Sequence, residues 1–600
     1  MDNRYFKKRA LAPFFFIGVL LCLLPASRGT DFFFWWLGLC LLAALAGLQQ
    51  ERVFALSWLS AAVVGFCGLL LINALCLNPV YHAEGIYLPA TLLLAFVIAS
   101  RCSDWFVQTG FKLFCAFIAL IAVWALLQWL TGRGFLDEED WRPHALFATP
   151  NTLATALNLG LAPILGYYLL GRGGRGAYAL TLLLFAALLG AQSRGGYLGL
   201  LASLLFFLLF IGQAAVVAQW RRYCTVAAGF LAVFGFFKFY AGLGLANWSK
   251  DSIFATISHG DSSYRWEIYQ LAWAGLAERL WLGIGYYNFS YYFQVHKVPP
   301  FLDGSTFFVH NDYLQFALET GLLGLGLFLL LIVAVYGQLF KYRQQAMIEQ
   351  RLPLILSAAA ITSMLAHALV DYPFYIPVLL AVFGAYLGVI NQQFIDMGAG
   401  DWQLPKITRQ QFLGLRVGFI SNALLIGLMT WLGLPALAAI SADYGLHRLQ
   451  QGDAQRGLYW HGVARSLQQR DANYYWREGI IWRNLGIVQA KPELLEKSAA
   501  LFSKGLEVNP FEVNNLLAKI ALHRQYGAQL KQPATHQDIM TWINQAKSLQ
   551  PYSDEIQMEY VRCLDFVGER AKTIEQAQLL VHKRPQSKTA QNLLESVSHD

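Results

Sequence analysis

Long apolar runs dominate the first two thirds of this 600-residue chain, and they limit its fold more than any other feature. Hydrophobic residues make up 56% of the sequence and charged residues only 14%, a balance that soluble proteins do not show. A helix needs about 20 apolar residues to cross a bilayer. The pattern predicts an all-α, polytopic membrane bundle of about thirteen spans, near residues 11–26, 32–48, 53–77, 86–100, 109–130, 152–170, 177–191, 196–212, 224–245, 313–340, 353–371, 374–391 and 413–436.

Basic residues predict how these spans are oriented, because Lys and Arg concentrate in cytoplasmic loops. With the N-terminus inside, the cytoplasmic segments hold fifteen of them: Arg4, Lys7, Lys8, Arg9, Arg52, Arg101, Arg172, Arg175, Arg221, Arg222, Lys341, Arg343, Arg351, Lys406 and Arg409. The short loops on the other face hold four: Arg28, Arg133, Arg142 and Arg194. The loop 246–312 and the C-terminal region are then expected outside the cytoplasm. The net charge of +8 follows largely from this bias, so no nucleic-acid partner is expected.

The N-terminal apolar segment is expected to remain in the protein. It follows a basic head, shows no clear small-residue cleavage site and is followed at once by a second apolar run.

Two arginines lie on the predicted outer face. Arg194 lies at the edge of the hydrocarbon between two spans, where an unpaired charge is costly and tends to mark a partner or ligand. Arg265 begins a predicted amphipathic helix over 264–281, whose tryptophans recur at roughly helical spacing. The alternative for Arg194 is a side chain that extends to lipid phosphate or loop carbonyls. Both interpretations stay open on sequence alone.

A third group of polar residues surrounds the start of the span at 313–340. His310 directly precedes this span, with Asn311 or Asp312 able to cap it, and Glu319 lies within it. An acid inside a span is rare and is functional by default. The structural alternatives are an interfacial histidine and an ion pair between helices.

His367 and Asp371 form a further candidate pair at the turn between two spans. They are four residues apart and so share one face of a helix. This spacing suits a hydrogen-bonded pair, which would either stabilise the structure or bind a substrate.

The composition changes after about Ser441 to that of a soluble helical domain. Asn509-Pro510, Gln550-Pro551 and Arg584-Pro585 each follow a segment that resembles the second helix of a tetratricopeptide unit. Pro551 and Pro585 are one repeat period of about 34 residues apart. We therefore predict two domains: a membrane-embedded domain over 1–440 with an extracytoplasmic loop at 246–312, and a tetratricopeptide-like domain over 441–600. Such a domain offers a surface for a protein partner or packs on the membrane domain.

The motifs, in this order and spacing, resemble the bacterial O-antigen ligase superfamily over roughly 140–395. They are Pro150-Asn151-x-Leu153-Ala154, Ser193-Arg194-Gly195, Arg265-Trp266 with Gly283-x-Gly285-x-x-Asn288-Phe289, and His310-Asn311-x-Tyr313-Leu314 with Glu319-x-Gly321. The resemblance implies a bundle of the glycosyltransferase C type in the bacterial inner membrane, with its site and C-terminal domain on the periplasmic side. It also implies a glycan donor on undecaprenyl pyrophosphate and a reaction without nucleotide sugar, metal or other cofactor.

The same resemblance implies roles for individual residues. His310 would be the general base, with Tyr313 and Glu319 orienting the site, and Arg194 and Arg265 would bind the donor pyrophosphate. His367, Asp371 and Asn311 are candidates for binding the acceptor.

The acceptor is expected to be a protein Ser or Thr or a lipid A-core sugar, because protein O-oligosaccharyltransferases often carry a C-terminal domain of this kind. The alternative within the superfamily is an O-antigen or exopolysaccharide polymerase, which adds to a growing glycan. From other classes we consider a transporter of lipid-linked glycans and a scaffold that recruits partners through its repeats. A transporter would place charged residues near the midplane of the bilayer, whereas here they gather at one face.

Overall fold

A computed structural model of the protein confirms the all-α fold class. It describes residues 17–18, 35–41, 57–77, 82–101, 103, 106–132, 142–211, 213–242, 265–296, 306–342, 348–399, 416–551, 553–583 and 587–599, and these ranges contain no β-strand. The chain divides into two compact units. The first comprises Met1–Leu77, Ala83–Tyr286 and Phe308–Leu432, and the second comprises Asn78–His82, Tyr287–Phe307 and Gly433–Asp600. The domain boundary at 440/441 stays a prediction.

The first unit is a bundle of apolar helices. In chain order they are α1 (Trp58–Ile72), α2 (Glu84–Arg101), α3 (Phe111–Thr131), α4 (Pro150–Leu169), α5 (Arg175–Ala191), α6 (Arg194–Ile211), α7 (Gln213–Ala218), α8 (Trp220–Gly242) and α9 (Arg265–Glu278). After α10 (Phe289–His296), which belongs to the second unit, follow α11 (Asp312–Tyr342), α12 (Ile348–His367) and α13 (Pro377–Phe394), with a short 3₁₀ turn at Pro373–Tyr375.

Seven helical segments among the described residues are long and apolar enough to cross a membrane: Trp58–Leu77, Glu84–Arg101, Phe106–Thr131, Pro150–Leu169, Trp220–Tyr240, Asp312–Lys341 and Pro377–Gly398. Shorter apolar helices at Arg175–Ala191, Arg194–Phe210 and Arg351–His367 correspond to three more predicted spans. The predicted spans at 11–26 and 32–48 fall mostly outside the described residues, which include only 17–18 and 35–41 of them. The protein is a multi-pass membrane protein, and its total of thirteen spans stays a prediction.

Small residues allow the helices that carry the polar site to pack closely. α12 packs on α4, α6 and α13, and α13 packs on α2. A Cβ added at Gly199 of α6 would lie 2.6 Å from the carbonyl oxygen of Ser363 in α12, so only glycine permits this approach. Close backbone contact through small residues is the usual means of helix association in a membrane.

Helix α9 lies within the segment predicted as an amphipathic helix, but the apolar residues of the predicted pattern do not share one environment. Ile268, Ala272 and Leu276 are buried against the bundle, whereas Trp266 and Trp273 on the opposite face are 69% and 63% exposed. This helix carries Arg265 at its first position and packs on α11, which follows His310.

The second unit is made of shorter helices that pack on their neighbours in sequence. They are the end of α14 (Arg416–Gln450), then α15 (Ala454–Leu467), α16 (Ala472–Gln489), α17 (Pro492–Val508), α18 (Val513–Tyr526), α19 (His536–Leu549), α20 (Asp554–Phe566), α21 (Arg570–Lys583) and α22 (Lys588–His599). Each predicted repeat ending follows a helix, since α17, α19 and α21 end at Val508, Leu549 and Lys583. The assignment of residues 441–600 as a tetratricopeptide-like domain stays a prediction.

Candidate active site

The start of α11 is fastened to the turn between α12 and α13. Asn311 Oδ1 accepts a hydrogen bond from the Leu314 N–H at 3.0 Å and so caps the helix. The Asp312 N–H donates to the carbonyl of Ala368 at 2.9 Å, and Asp312 Oδ2 accepts from the Phe374 N–H at 3.0 Å. These bonds hold residues 310–312 against residues 368–374. Asn311 therefore has a capping role here, and its predicted role in acceptor binding is untested.

His310 has an uncommon backbone conformation. Its φ is 60°, in the left-handed region that few residues other than glycine adopt. The Tyr269 hydroxyl donates to the His310 carbonyl at 3.0 Å, and the Tyr372 ring lies edge-on to the imidazole with centroids 5.0 Å apart. Strained backbone of this kind costs about 1–3 kcal/mol and concentrates at functional sites. The backbone conformation of His310 is therefore a second indication, besides its motif, that its imidazole is functional.

Asp371 is the carboxylate beside that imidazole. His310 Nδ1 lies 3.3 Å from Asp371 Oδ1, which also accepts from the Tyr372 N–H at 3.0 Å. Burial raises the pKa of Asp371, but hydrogen bonds and charge from His310 and His367 outweigh it and hold that pKa well below its usual range. The carboxylate is therefore ionised at neutral pH and favours a proton on His310 Nδ1. That tautomer leaves Nε2 as the proton acceptor.

His367 is enclosed on the other side of Asp371. Its Nε2 lies 3.6 Å from Asp371 Oδ2, and its Nδ1 lies 2.9 Å from the Thr155 hydroxyl. The His367 side chain is only 1% exposed, whereas that of His310 is 27% exposed. His310 is thus the imidazole that a substrate can reach. His367 supports Asp371 from within the bundle, and its predicted contact with the acceptor is untested.

Gly195 in the Ser193-Arg194-Gly195 motif makes room for His367. A Cβ added at Gly195 would lie 2.4 Å from the His367 ring, a distance that real Cβ atoms do not show. A residue without a Cβ beside Arg194 would also let a substrate approach the backbone. In the structure the space next to Gly195 holds the His367 ring.

Three arginines surround this group of residues. Arg265 Nη1 donates to the Val370 carbonyl at 2.7 Å, one residue before Asp371. Tyr269, four residues on from Arg265, reaches His310 from the same face of α9. Arg194 is exposed at the first position of α6. The predicted arginines and histidine therefore lie in one region of the first unit.

Arg142 was not predicted from the sequence as a site residue. Its guanidinium donates to the carbonyls of Ala191 and Gln192 at 2.8 and 3.0 Å and to Asn151 at 3.3 Å. Burial lowers the pKa of Arg142. The nearby Tyr197 and Asp371 raise that pKa, and the positive charges of Arg194 and Arg265 lower it further. Arg142 thus belongs to the same electrostatic cluster. Its position in a loop with few basic residues was a signal for it, the same signal that indicated Arg194.

Tyr313 and Glu319 have their polar atoms engaged inside the bundle. The Tyr313 hydroxyl donates to the Leu365 carbonyl at 3.0 Å. The fully buried Glu319 carboxylate accepts from Gln315 at 3.1 Å and from the Tyr375 hydroxyl at 2.6 Å. These contacts tie α11 to α12 and to the 373–375 turn. The predicted catalytic roles of both residues stay predictions.

The glycine motifs around 283 and 321 form a backbone junction. Gly321 interrupts α11 with φ 68° and ψ −171°. The Ile284 and Gly285 N–H groups donate to the carbonyls of Leu318 and Glu319, each at 2.9 Å. A Cβ at Gly283 would lie 2.4 Å from the Glu319 carbonyl carbon, and one at Gly321 would lie 2.2 Å from Trp281. These glycines let two backbones touch.

Asn73 completes this junction and, like Arg142, was not predicted from the sequence. Its side chain, which is fully buried, donates to the Leu282 carbonyl at 3.0 Å and accepts from the Tyr286 N–H at 2.5 Å.

Residues 179–329 match the family model described as O-Antigen ligase. Over these residues the chain is similar to the O-antigen ligase family. The matched segment is about a quarter of the chain and includes Arg194, Arg265 and His310, whereas Arg142 and Asp371 lie outside it. No curated protein matches the sequence. The family supports a membrane enzyme of the O-antigen ligase or polymerase type.

Proposed function

We propose that this protein transfers a glycan from undecaprenyl pyrophosphate to a hydroxyl group at the periplasmic face of the bacterial inner membrane. The observation that carries the proposal is the pairing of a partly exposed His310 with the ionised, buried Asp371 beside three arginines. A base, its orienting carboxylate and a cationic cluster are what such a transfer requires.

His310 acts as the general base. As the acceptor oxygen attacks the anomeric carbon, its proton passes to His310 Nε2 and the bond from that carbon to the pyrophosphate oxygen breaks. The electron pair leaves with undecaprenyl pyrophosphate. Attack from the face opposite the leaving group inverts the anomeric centre. Asp371, at 3.3 Å from Nδ1, orients the ring and stabilises the imidazolium that forms.

Arg194 and Arg265 bind the pyrophosphate and stabilise the charge that develops as it leaves. Guanidinium groups offer paired donors that match phosphate oxygens and keep their charge at any physiological pH. Arg142 acts indirectly, because its donors are engaged with Ala191, Gln192 and Asn151. It holds the loop that leads into Arg194 and adds positive potential. The reaction proceeds without a metal ion, nucleotide sugar or other cofactor.

The acceptor is a protein Ser or Thr or a lipid A-core sugar. The helical domain that follows the membrane bundle supports an acceptor of macromolecular size, because arrays of packed helices offer extended binding surfaces. A polymerase of the same superfamily would use the same base and cations and differ only in taking a growing glycan as its acceptor.

Purified full-length protein, reconstituted with an undecaprenyl-pyrophosphate glycan and candidate acceptors, tests the proposal. Wild type should form glycosylated product, and His310→Ala should remain folded and form none. His582→Ala, a change at an exposed histidine of α21, is the matched control and should retain activity. Full activity of His310→Ala would remove the proposed base. Comparison of protein, lipid A-core and glycan acceptors identifies which hydroxyl is used.

A further inference from the structure

The first unit contains an apolar cavity that the proposed reaction does not use. Its volume is about 490 Å³, within the range of roughly 300–1,000 Å³ that small-molecule sites occupy. Helices α3, α4, α5, α12 and α13 bound it, and its lining includes Phe114, Pro163, Ala177, Leu356, Ala385 and Val389. The Tyr386 hydroxyl, a polar group of the lining, donates a hydrogen bond to the Leu159 carbonyl at 2.7 Å. A cavity with so few polar partners does not hold water well.

The cavity lies toward the end of the bundle opposite His310. Thr155 and His367 touch beside Asp371 and mark the site end of α4 and α12. At 1.5 Å of rise per residue, Pro163 lies about 12 Å along α4 from Thr155, and Leu356 lies about 16 Å along α12 from His367. The hydrocarbon core of a bilayer is about 30 Å thick. The cavity is therefore beyond direct reach of a pyrophosphate held at the arginine cluster.

Basic residues lie in the lining of the cavity and next to it in sequence. Lys112 lines it and is exposed, as is Tyr167 beside it. Arg175 directly precedes the lining residues Gly176 and Ala177. None of the lining residues within the described ranges is acidic. The charge that the lining carries is therefore positive.

Arg351 gives an independent indication of a ligand at this end. It directly precedes Leu352 and Pro353, which line the cavity. Its Nε atom is buried, and within the described part of the chain it has no hydrogen-bond partner. Although the Arg351 side chain is partly exposed, a buried N–H donor without an acceptor is costly, and a phosphate oxygen would supply that acceptor.

We propose that this cavity binds one acyl chain of an anionic glycerophospholipid from the membrane leaflet opposite the active site. The acyl chain fills the apolar cavity, and the phosphate is held by Lys112, Arg175 and Arg351. A phospholipid fits better than the prenyl chain of a donor, because the cations that would hold its phosphate lie at this end of the bundle. Bound in this way, the lipid joins five helices and stabilises the bundle that positions His310 and Asp371.

Lipid retention tests the acyl-chain site. Full-length protein is purified in mild detergent, washed extensively and analysed by native mass spectrometry with phospholipid extraction. Wild type should retain one phospholipid. Ala385→Phe and Ala177→Phe, which fill the cavity from two different helices, should each lose it while still folded. Ala228→Phe, an exposed position on α8, should retain it.

Thermal unfolding tests the phosphate site. Added phosphatidylglycerol should raise the Tm of wild type more than phosphatidylcholine does. Lys112→Glu should abolish that difference, and Arg221→Glu, a change outside the cavity lining, should leave it intact. Retention of a polyprenyl lipid that Ala385→Phe displaces would overturn the proposal. So would equal phospholipid retention by wild type and both filled variants, or a wild type that neither retains phospholipid nor gains stability from it.

Discussion

Replacing Asp371 by Asn tests how the candidate base is oriented. The substitution keeps the shape of the side chain and removes its charge. Asp371 lies 3.3 Å from His310 Nδ1 and is 7% exposed, so no water replaces the lost carboxylate without rearrangement. An amide in this position can also turn its NH₂ group toward Nδ1 and favour the wrong tautomer of the ring.

The expected loss follows from the distance. Two unit charges 3.3 Å apart interact with about 5 kcal/mol at an effective dielectric constant of about 20, which is suitable for a partly exposed pair. A proton half transferred in the transition state realises about half of this, or about 2.5 kcal/mol. Since about 1.36 kcal/mol corresponds to tenfold in rate, we expect kcat to fall by about 70-fold. KM for the donor should change little, because Asp371 does not contact the pyrophosphate in the proposed complex.

The assay is steady-state transfer by purified, reconstituted protein with donor and acceptor varied separately. Asp371→Glu keeps the charge and should recover part of the lost kcat. Asp396→Asn is the matched control, because Asp396 bonds to Gln392 on an exposed surface beyond α13. Asp371→Asn with wild-type kcat would refute the orienting role. A loss confined to KM would instead place Asp371 in substrate binding.

Three further predictions concern stability. Gly195→Ala should lower the free energy of unfolding by about 1–3 kcal/mol in a thermal or denaturant assay, because the added Cβ would meet the enclosed His367 ring. Gly326→Ala is the control, and it should be neutral or slightly stabilising because the space around Gly326 is open. Gly321→Ala should cost at least about 1–3 kcal/mol in the same assay, since its φ of 68° and ψ of −171° suit only glycine, and a wild-type Tm would contradict the junction. The pKa of Asp371 is lowered in the folded state, so its ionised form should stabilise the fold above the unfolded pKa of about 4, and this contribution should be lost as the pH falls further. The Tm difference between wild type and Asp371→Asn should therefore shrink below about pH 4. A Tm difference that stays constant with pH would contradict this.

The fold class and the main polar residues follow from local features of the sequence. Apolar length indicated the spans, and the spacing of the tryptophans indicated a helix where the structure has α9. Arg194 was singled out because a charge at a membrane edge is costly without a partner, and the roles of Arg265 and His310 came from the resemblance of their motifs to the O-antigen ligase superfamily. Each of these arguments needs only neighbouring residues.

The partners within the site could not be predicted, because they depend on contacts between distant segments. His310 and Asp371 are 61 residues apart, and the sequence paired Asp371 only with His367, its neighbour on the helix. Arg142 reaches Ala191 across 49 residues. No helical or strand period relates positions at such separations.

The glycines required the structure for the same reason. A substrate contact and a contact with another backbone both demand a residue without a Cβ. The sequence cannot distinguish these cases, and the structure shows Glu319 and Trp281 backbone beside Gly283 and Gly321.

A cryo-electron microscopy structure of the full-length protein with a non-reactive undecaprenyl-pyrophosphate glycan analogue tests the central claim most directly. We expect phosphate oxygens within about 3.2 Å of the Arg194 and Arg265 guanidiniums, and His310 Nε2 facing the anomeric carbon from the side opposite the pyrophosphate. A pyrophosphate bound away from both arginines, or an anomeric carbon out of reach of a hydroxyl held by His310, would contradict it.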